Sequence, residues 1–218
     1  MPRKKARGSK KGSPFERELC VALSLWWTGG ENDDVFWRSA TSGARATTRA
    51  KRGKQTRGHY GDICATIPEG ELLTRVFTIE AKRGYPKAII TDLVDRNPRN
   101  AIQPLEDLIV QAHTAHINAN SFAWLLIHRR DQRQSLVWMP QYAYDAVKQT
   151  SRERDRWKTP YPLIRLTAPI ATGFKPVKMK LVAFLLSHFY EVVNRRIVKD
   201  IDVKLKKGML THVRQTVS

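Results

Sequence analysis

A chain of 218 residues with 39 Lys and Arg against 20 Asp and Glu carries a net charge of +19 and a pI near 10.3. Hydrophobic content of 41%, with six Trp, six Tyr and seven Phe, is enough for a real core and argues against wholesale disorder, while the charge excess calls for a polyanionic partner. The longest apolar run, Leu181 to Leu186, is six residues, far below the ~20 that a spanning helix needs, so no membrane attachment is expected.

Residues 1–12 hold six Lys or Arg and no acid, and read as a flexible basic arm. Met1 to Lys5 lacks the apolar segment of a secretory signal, and Cys20 and Cys64 form neither a CxxC pair nor a disulfide framework. A cytoplasmic, reduced protein is the expectation. Ser13-Pro14-Phe15-Glu16 predicts a helix start, with Ser13 as N-cap and Glu16 at the capping-box position. Phe15, Leu19, Leu23 and Trp26 follow at helical spacing, and Gly29-Gly30 ends the helix. Glu31, Asp33 and Asp34 read as a polar turn before a short strand over Val35–Ser39. No acid occurs from Val35 to Gly61, and residues 44–60 read as a basic loop.

Gly61–Ile67 and Arg75–Lys82 read as two strands of a hairpin turning at Pro68-Glu69-Gly70. Ile102–Asn118 predicts a helix, Phe122–Ile127 and Leu136–Trp138 strands, and Pro140–Val147 a short helix. Leu163–Leu166 reads as a strand and Lys180–Val198 as a helix, whose Leu181, Leu185, Phe189 and Val193 would form an apolar stripe for core packing or pairing. His113 and His116 lie one helical turn apart without a Cys or third His nearby, and read as helix-surface residues. Cys64 reads as a small core filler.

The chemistry concentrates on the central hairpin. In a strand ending Glu80-Ala81-Lys82, alternation sends Phe77, Ile79 and Ala81 to one face and brings Glu80 and Lys82 out together on the other. A neighbouring strand through Asp62 adds a second carboxylate. Two carboxylates and an ammonium at a sheet edge can hold an oxygen-seeking cation and set a water against a phosphate. In so basic a chain this points to cutting nucleic acid. Each residue also has a plainer reading: Glu16 as half of a capping box, Asp62 as turn chemistry, Glu80 and Lys82 as a solvated strand face.

Lys11-Gly12 before Phe15-Glu16-Arg17-Glu18-Leu19, then Arg38-Ser39 with Ser42-Gly43, Gly61-Asp62 and Ile79-Glu80-Ala81-Lys82, resembles the PD-(D/E)XK nuclease superfamily, and within it the archaeal-type Holliday junction resolvases. Gly61 stands where the name-giving proline would be, and the resemblance covers roughly residues 11–128. It implies an α/β, restriction-endonuclease-like fold: a mixed central sheet flanked by helices, carrying here the basic arm (1–12), a nuclease core (13–150) and a C-terminal extension (151–218). It implies further that Asp62, Glu80 and the Ala81 carbonyl bind Mg²⁺, with Mn²⁺ as a substitute, and that Glu16, or Glu18 on the same helix, approaches from the first helix. Lys82 would orient or deprotonate the attacking water or steady the phosphate, and Ser39 and Ser42 would touch the DNA near the cut.

Lys10, Lys11, Arg38, Arg45, Arg49, Lys51, Arg52, Lys54 and Arg57 are the expected DNA contacts, joined by the cluster Arg152, Arg154, Arg156 and Lys158. Shape recognition of a four-way junction by a twofold dimer is the expected mode. No phosphate-loop motif is present, so no nucleotide cofactor is expected. Two rival readings stand beside the resolvase: a restriction- or repair-type nuclease on the same core, and a non-catalytic DNA-binding or packaging protein.

Overall fold

The computed structural model describes residues 9–39, 60–95, 102–151, 161–172 and 176–210, and of residues 9–13 the backbone alone. The expected DNA contacts Ser42, Arg45, Arg49, Lys51, Arg52, Lys54 and Arg57, the basic arm before Ser9, and the Arg152–Lys158 cluster all lie outside the described residues.

The first helix, α1, runs Ser9–Thr28, so it begins ahead of the expected Ser13 cap and carries Pro14 inside it. Lys10 and Lys11 fall on its first turn, with side chains outside the described set. Phe15, Leu19, Cys20, Leu23 and Trp27 are buried along one stripe. Gly29 and Gly30 end the helix with φ of +69° and +98°, a left-handed exit that glycine makes at little cost. Strand β1 (Phe36–Arg38) pairs antiparallel with β2 (Ile63–Ala65).

The expected hairpin does not form. Between β2 and β3 (Phe77–Arg83) lies α2, Pro68–Val76. Pro68 occupies the first helical turn, where its missing N–H costs nothing, Glu69 and Glu71 face the positive helix end, and Arg75 sits in the last turn. Gly70, Leu73 and Val76 form its buried face. A Cβ on Gly70 would come within 2.9 Å of both Phe36 and Val35 side-chain atoms, so this glycine sets how closely α2 approaches the β1–β2 pair. Gly70→Val is expected to cost about 1–3 kcal/mol by overpacking, read as a lowered midpoint in urea at unchanged m-value.

Beyond β3 come α3 (Pro104–Ala119), β4 (Ala123–Arg129), β5 (Leu136–Pro140), α4 (Gln141–Thr150), β6 (Leu163–Ile170) and β7 (Val177–Leu185). The five-stranded sheet has the order β3-β4-β5-β7-β6, with β3 and β4 parallel and the other neighbours antiparallel. A parallel pair needs a long crossover, and α3 lies within it. Residues Ala123–His128 of β4 are all buried because both faces of the sheet are covered. Ala123, Leu125 and Ile127 join one core with α1, while Trp124 and Leu126 join the other with Leu105, Leu108 and Ile109 of α3. His116 is buried rather than on the helix surface, with Nδ1 3.2 Å from the Ser121 carbonyl oxygen.

The expected helix over Lys180–Val198 is instead the end of β7, then α5 (Leu186–Val192) and α6 (Arg195–Lys206). Leu181 therefore belongs to a strand, and it, Phe189 and Val193 are buried, so no helical pairing stripe exists there. β-Branched Val177 and Val182 and aromatic Phe184 suit a strand. The C-terminal segment closes on the rest: Asp202 of α6 accepts from Arg75 Nε at 3.0 Å and Nη2 at 3.2 Å, and Arg195 pairs with Glu69.

Candidate active site

The site is built at the outer edge of β3, opposite its pairing with β4. Thr78, Glu80 and Lys82 share one face of β3, and Phe77, Ile79 and Ala81 pack into the α1-side core on the other. The chain before β2 runs along the free edge. There the Asp62 N–H donates to the Ile79 carbonyl at 2.8 Å. Ser39, just past β1, is buried and fastens the same segment twice: its N–H donates to the Asp62 carbonyl at 2.9 Å and its hydroxyl to the Gly61 carbonyl at 2.6 Å.

Asp62, Glu80 and Lys82 consequently converge. The Lys82 ammonium lies 2.8 Å from an Asp62 carboxylate oxygen and 2.7 Å from one of Glu80. The Ala81 N–H also donates to Asp62, at 3.0 Å. All three side chains are largely covered, 9–15% exposed. Burial, and then the adjacent Asp62 carboxylate, push the Glu80 carboxyl up to about 7 against the pull of Lys82. Burial works against the Lys82 ammonium, but the two carboxylates outweigh it and hold its pKa above the ordinary lysine value.

Because the folded Glu80 keeps its proton to higher pH than the unfolded chain, stability falls as pH rises between about 4.5 and 7. The metal-free protein is expected to lose about 2–3 kcal/mol over that window. Urea titrations at pH 5 and pH 7.5 read this loss, and Glu80→Gln is expected to flatten it.

Glu16 is buried and pairs with Arg38 of β1, not with Asp62, Glu80 or Lys82 in any contact seen among the described residues. Its carboxylate does not serve a cap, because the backbone is already helical at Ser13. Glu18 is spent on Arg129, which donates to its two oxygens at 2.6 Å each and lies 4.4 Å from the Phe15 ring centre. Among the described residues no group of three or more His, Cys, Asp or Glu is arranged to hold a metal ion. The oxygen donors at hand are therefore the Asp62 and Glu80 carboxylates with the Ala81 carbonyl, next after Glu80 in sequence. Such a set fits a hard divalent ion, and here the carboxylate pair already holds a cation, the Lys82 ammonium.

Sequence reasoning missed His128. It lies in register with Lys82 on the neighbouring strand, is buried, and is kept uncharged at neutral pH: burial, then Arg130, lower its pKa to about 4. Nothing in the sequence marks it, since the β3–β4 register is a property of the folded sheet. Cys64 is buried and free, with burial raising its thiol pKa, as suits a core filler.

A family model described as "phage putative PDDEXK endonuclease" matches residues 7–189. The chain belongs to this PD-(D/E)XK endonuclease family. No curated protein and no solved structure matches it. As a PD-(D/E)XK endonuclease it has a restriction-endonuclease-like fold, in which the mixed sheet and its flanking helices are the shared core. The match extends past the expected end of the resemblance near residue 128, through β7 and into α5, so the strands β5 to β7 belong to the family's matched region. DNA is the substrate class of such a nuclease, and members of the superfamily generally use divalent metal ions. No helix among the described residues is long and apolar enough to cross a membrane.

Proposed function

We propose that this PD-(D/E)XK endonuclease is a Mg²⁺-dependent, structure-specific DNA endonuclease of the Holliday junction resolvase kind, acting in the cytoplasm as a homodimer. The observation that carries the catalytic part is the convergence of Asp62, Glu80 and Lys82 on one edge of β3. Asp62, Glu80 and the Ala81 carbonyl would hold the metal, with Glu16 reaching it once released from Arg38. When bound, the ion would acidify a water and offset charge gathering on the phosphate.

The protein's own groups do the rest. Lys82 orients the attacking water or steadies the phosphate, because its ammonium is fixed between the carboxylates rather than free to swing. Ser39 holds the Gly61-Asp62 segment in place and so keeps one carboxylate aimed. The charge of +19 favours backbone contacts that report DNA shape, with affinity falling steeply as salt rises.

Purified protein offered labelled four-way junctions, flaps and linear duplex in Mg²⁺ or Mn²⁺ tests this reading. Paired, symmetric nicks across the junction are the expected result. Equal cutting of plain duplex would make it a restriction- or repair-type nuclease, and binding without cutting in either metal would leave a DNA-packaging protein.

A further inference from the structure

Trp26, Trp27, Trp37, Trp124 and Trp138 lie among the described residues. Trp27, Trp124 and Trp138 are buried. Trp26 is half-buried against the rings of Phe189 and Tyr190, and its indole N–H donates to the Tyr190 carbonyl. Trp37 of β1 is the exception. It is 45% exposed, and its indole has no ring or hydrogen-bond partner among the described residues. A single exposed apolar side chain is ordinary on a protein surface, but the position of this one is not.

Past Arg38 the chain continues into Ser39, whose N–H donates to the Asp62 carbonyl at 2.9 Å, so the β1–β2 ladder runs on into the catalytic segment. Alternation divides this pair of strands into two faces. Phe36 and Ile63 lie on the face that joins the α1-side core, and Arg38, on the same face, pairs with Glu16 of α1. Trp37 and Ser39 take the other face, with Cys64 and Asp62 opposite them. Trp37 is therefore rooted two residues, about 7 Å, along the strand from the residue bonded to Asp62. Nucleotides follow one another at about 3.4 Å along a strand of DNA, so the indole stands about two nucleotides from a phosphate at Asp62. Tyr60, two residues before Asp62 in the chain, is a second exposed aromatic, at 49%.

Proteins take up single strands by holding the phosphates with cations and stacking the bases on aromatic rings, whatever the base. A chain of net charge +19 supplies the first part, and Trp37 beside the reacting phosphate supplies the second. A base inside continuous duplex has no open face to offer. Building on the site reading given above, we propose that Trp37 stacks on an unpaired base of the DNA, about two nucleotides from the cut phosphate, and so favours DNA with a single-stranded arm over continuous duplex.

Anisotropy titrations of the full-length protein test this in EDTA at one salt concentration, with a flapped duplex and a continuous duplex of matched sequence. Trp37→Leu keeps apolar cover on the strand but has no π-face. It is expected to bind the flap about tenfold more weakly and the duplex within about twofold of wild type, while Trp37→Tyr stays within about threefold on both. Loss of cover alone would treat Leu and Tyr alike. Because the readout is metal-free binding, it stands apart from catalysis. These differences in a protein that never cuts in Mg²⁺ or Mn²⁺ would overturn the catalytic reading of the site alone. Unchanged flap binding by Trp37→Leu, an equal loss on duplex, or the same loss in Trp37→Tyr overturns the stacking role, even where wild-type protein cuts junctions.

Discussion

Asp62→Ala is expected to abolish DNA cleavage while DNA binding persists, and Glu80→Ala and Lys82→Ala to do the same. The loss for each should reach about 10³-fold or more, because under the proposed function each removes a group that acts at the reacting phosphate and none contributes a long-range basic contact. Under the same proposal, removing either carboxylate also takes a negative charge from a surface facing phosphates, so metal-free binding should tighten slightly. Parallel single-turnover cleavage and gel-shift measurements decide this. A variant that keeps cutting frees its residue from the chemistry, and one that loses binding as well as cutting points to a role in the fold. The three are not equivalent structurally. Lys82 removed leaves two partly buried carboxylates facing one another, so Lys82→Ala should be the least stable of the set in the absence of metal.

Gly61→Ala should be nearly as damaging without touching a reactive group. Gly61 has φ of +84°, a left-handed conformation that costs any other residue about 1–2 kcal/mol. A Cβ there would stand 2.6 Å from the Ile79 carbonyl oxygen, the atom that receives the Asp62 N–H. The strand edge cannot yield, because Ile79 is buried in the α1-side core. The segment would have to lift, carrying Asp62 away from Glu80 and Lys82. A combined penalty of about 2–5 kcal/mol is expected, together with a cleavage loss of about 100-fold or more in the fraction that remains folded. Thermal melts and active-fraction-corrected rates measure the two effects. Full cleavage by Gly61→Ala would show that Asp62 need not sit where it does. The same geometry explains why glycine replaces the proline that names the superfamily, since a pyrrolidine ring holds φ near −65°.

The misreadings between Gly61 and Lys82 and beyond Lys180 share one cause. Pro68-Glu69-Gly70 reads locally as a turn, yet Pro and two early acids are equally a helix opening, and the buried stripe Gly70, Leu73 and Val76 decides for the helix only once β1 and β2 are there to receive it. The apolar run after Lys180 fits helical spacing, but β5 and β6 leave a slot that only a strand can fill, so backbone pairing overrides the pattern. Glu16 was visible as a candidate, whereas its pairing with Arg38 needed α1 packed on β1.

The order of chemistry-bearing residues, the period-two alternation that puts Glu80 and Lys82 on one face, and the charge that demands a polyanion were all local or additive properties, and such properties survive in a linear string. Which carboxylate meets which strand edge, that His128 stands uncharged beside Lys82, and that β7 fills the place between β5 and β6 depend on register and strand order. Those follow from long-range pairing and close packing, where residues tens of positions apart select each other's conformation.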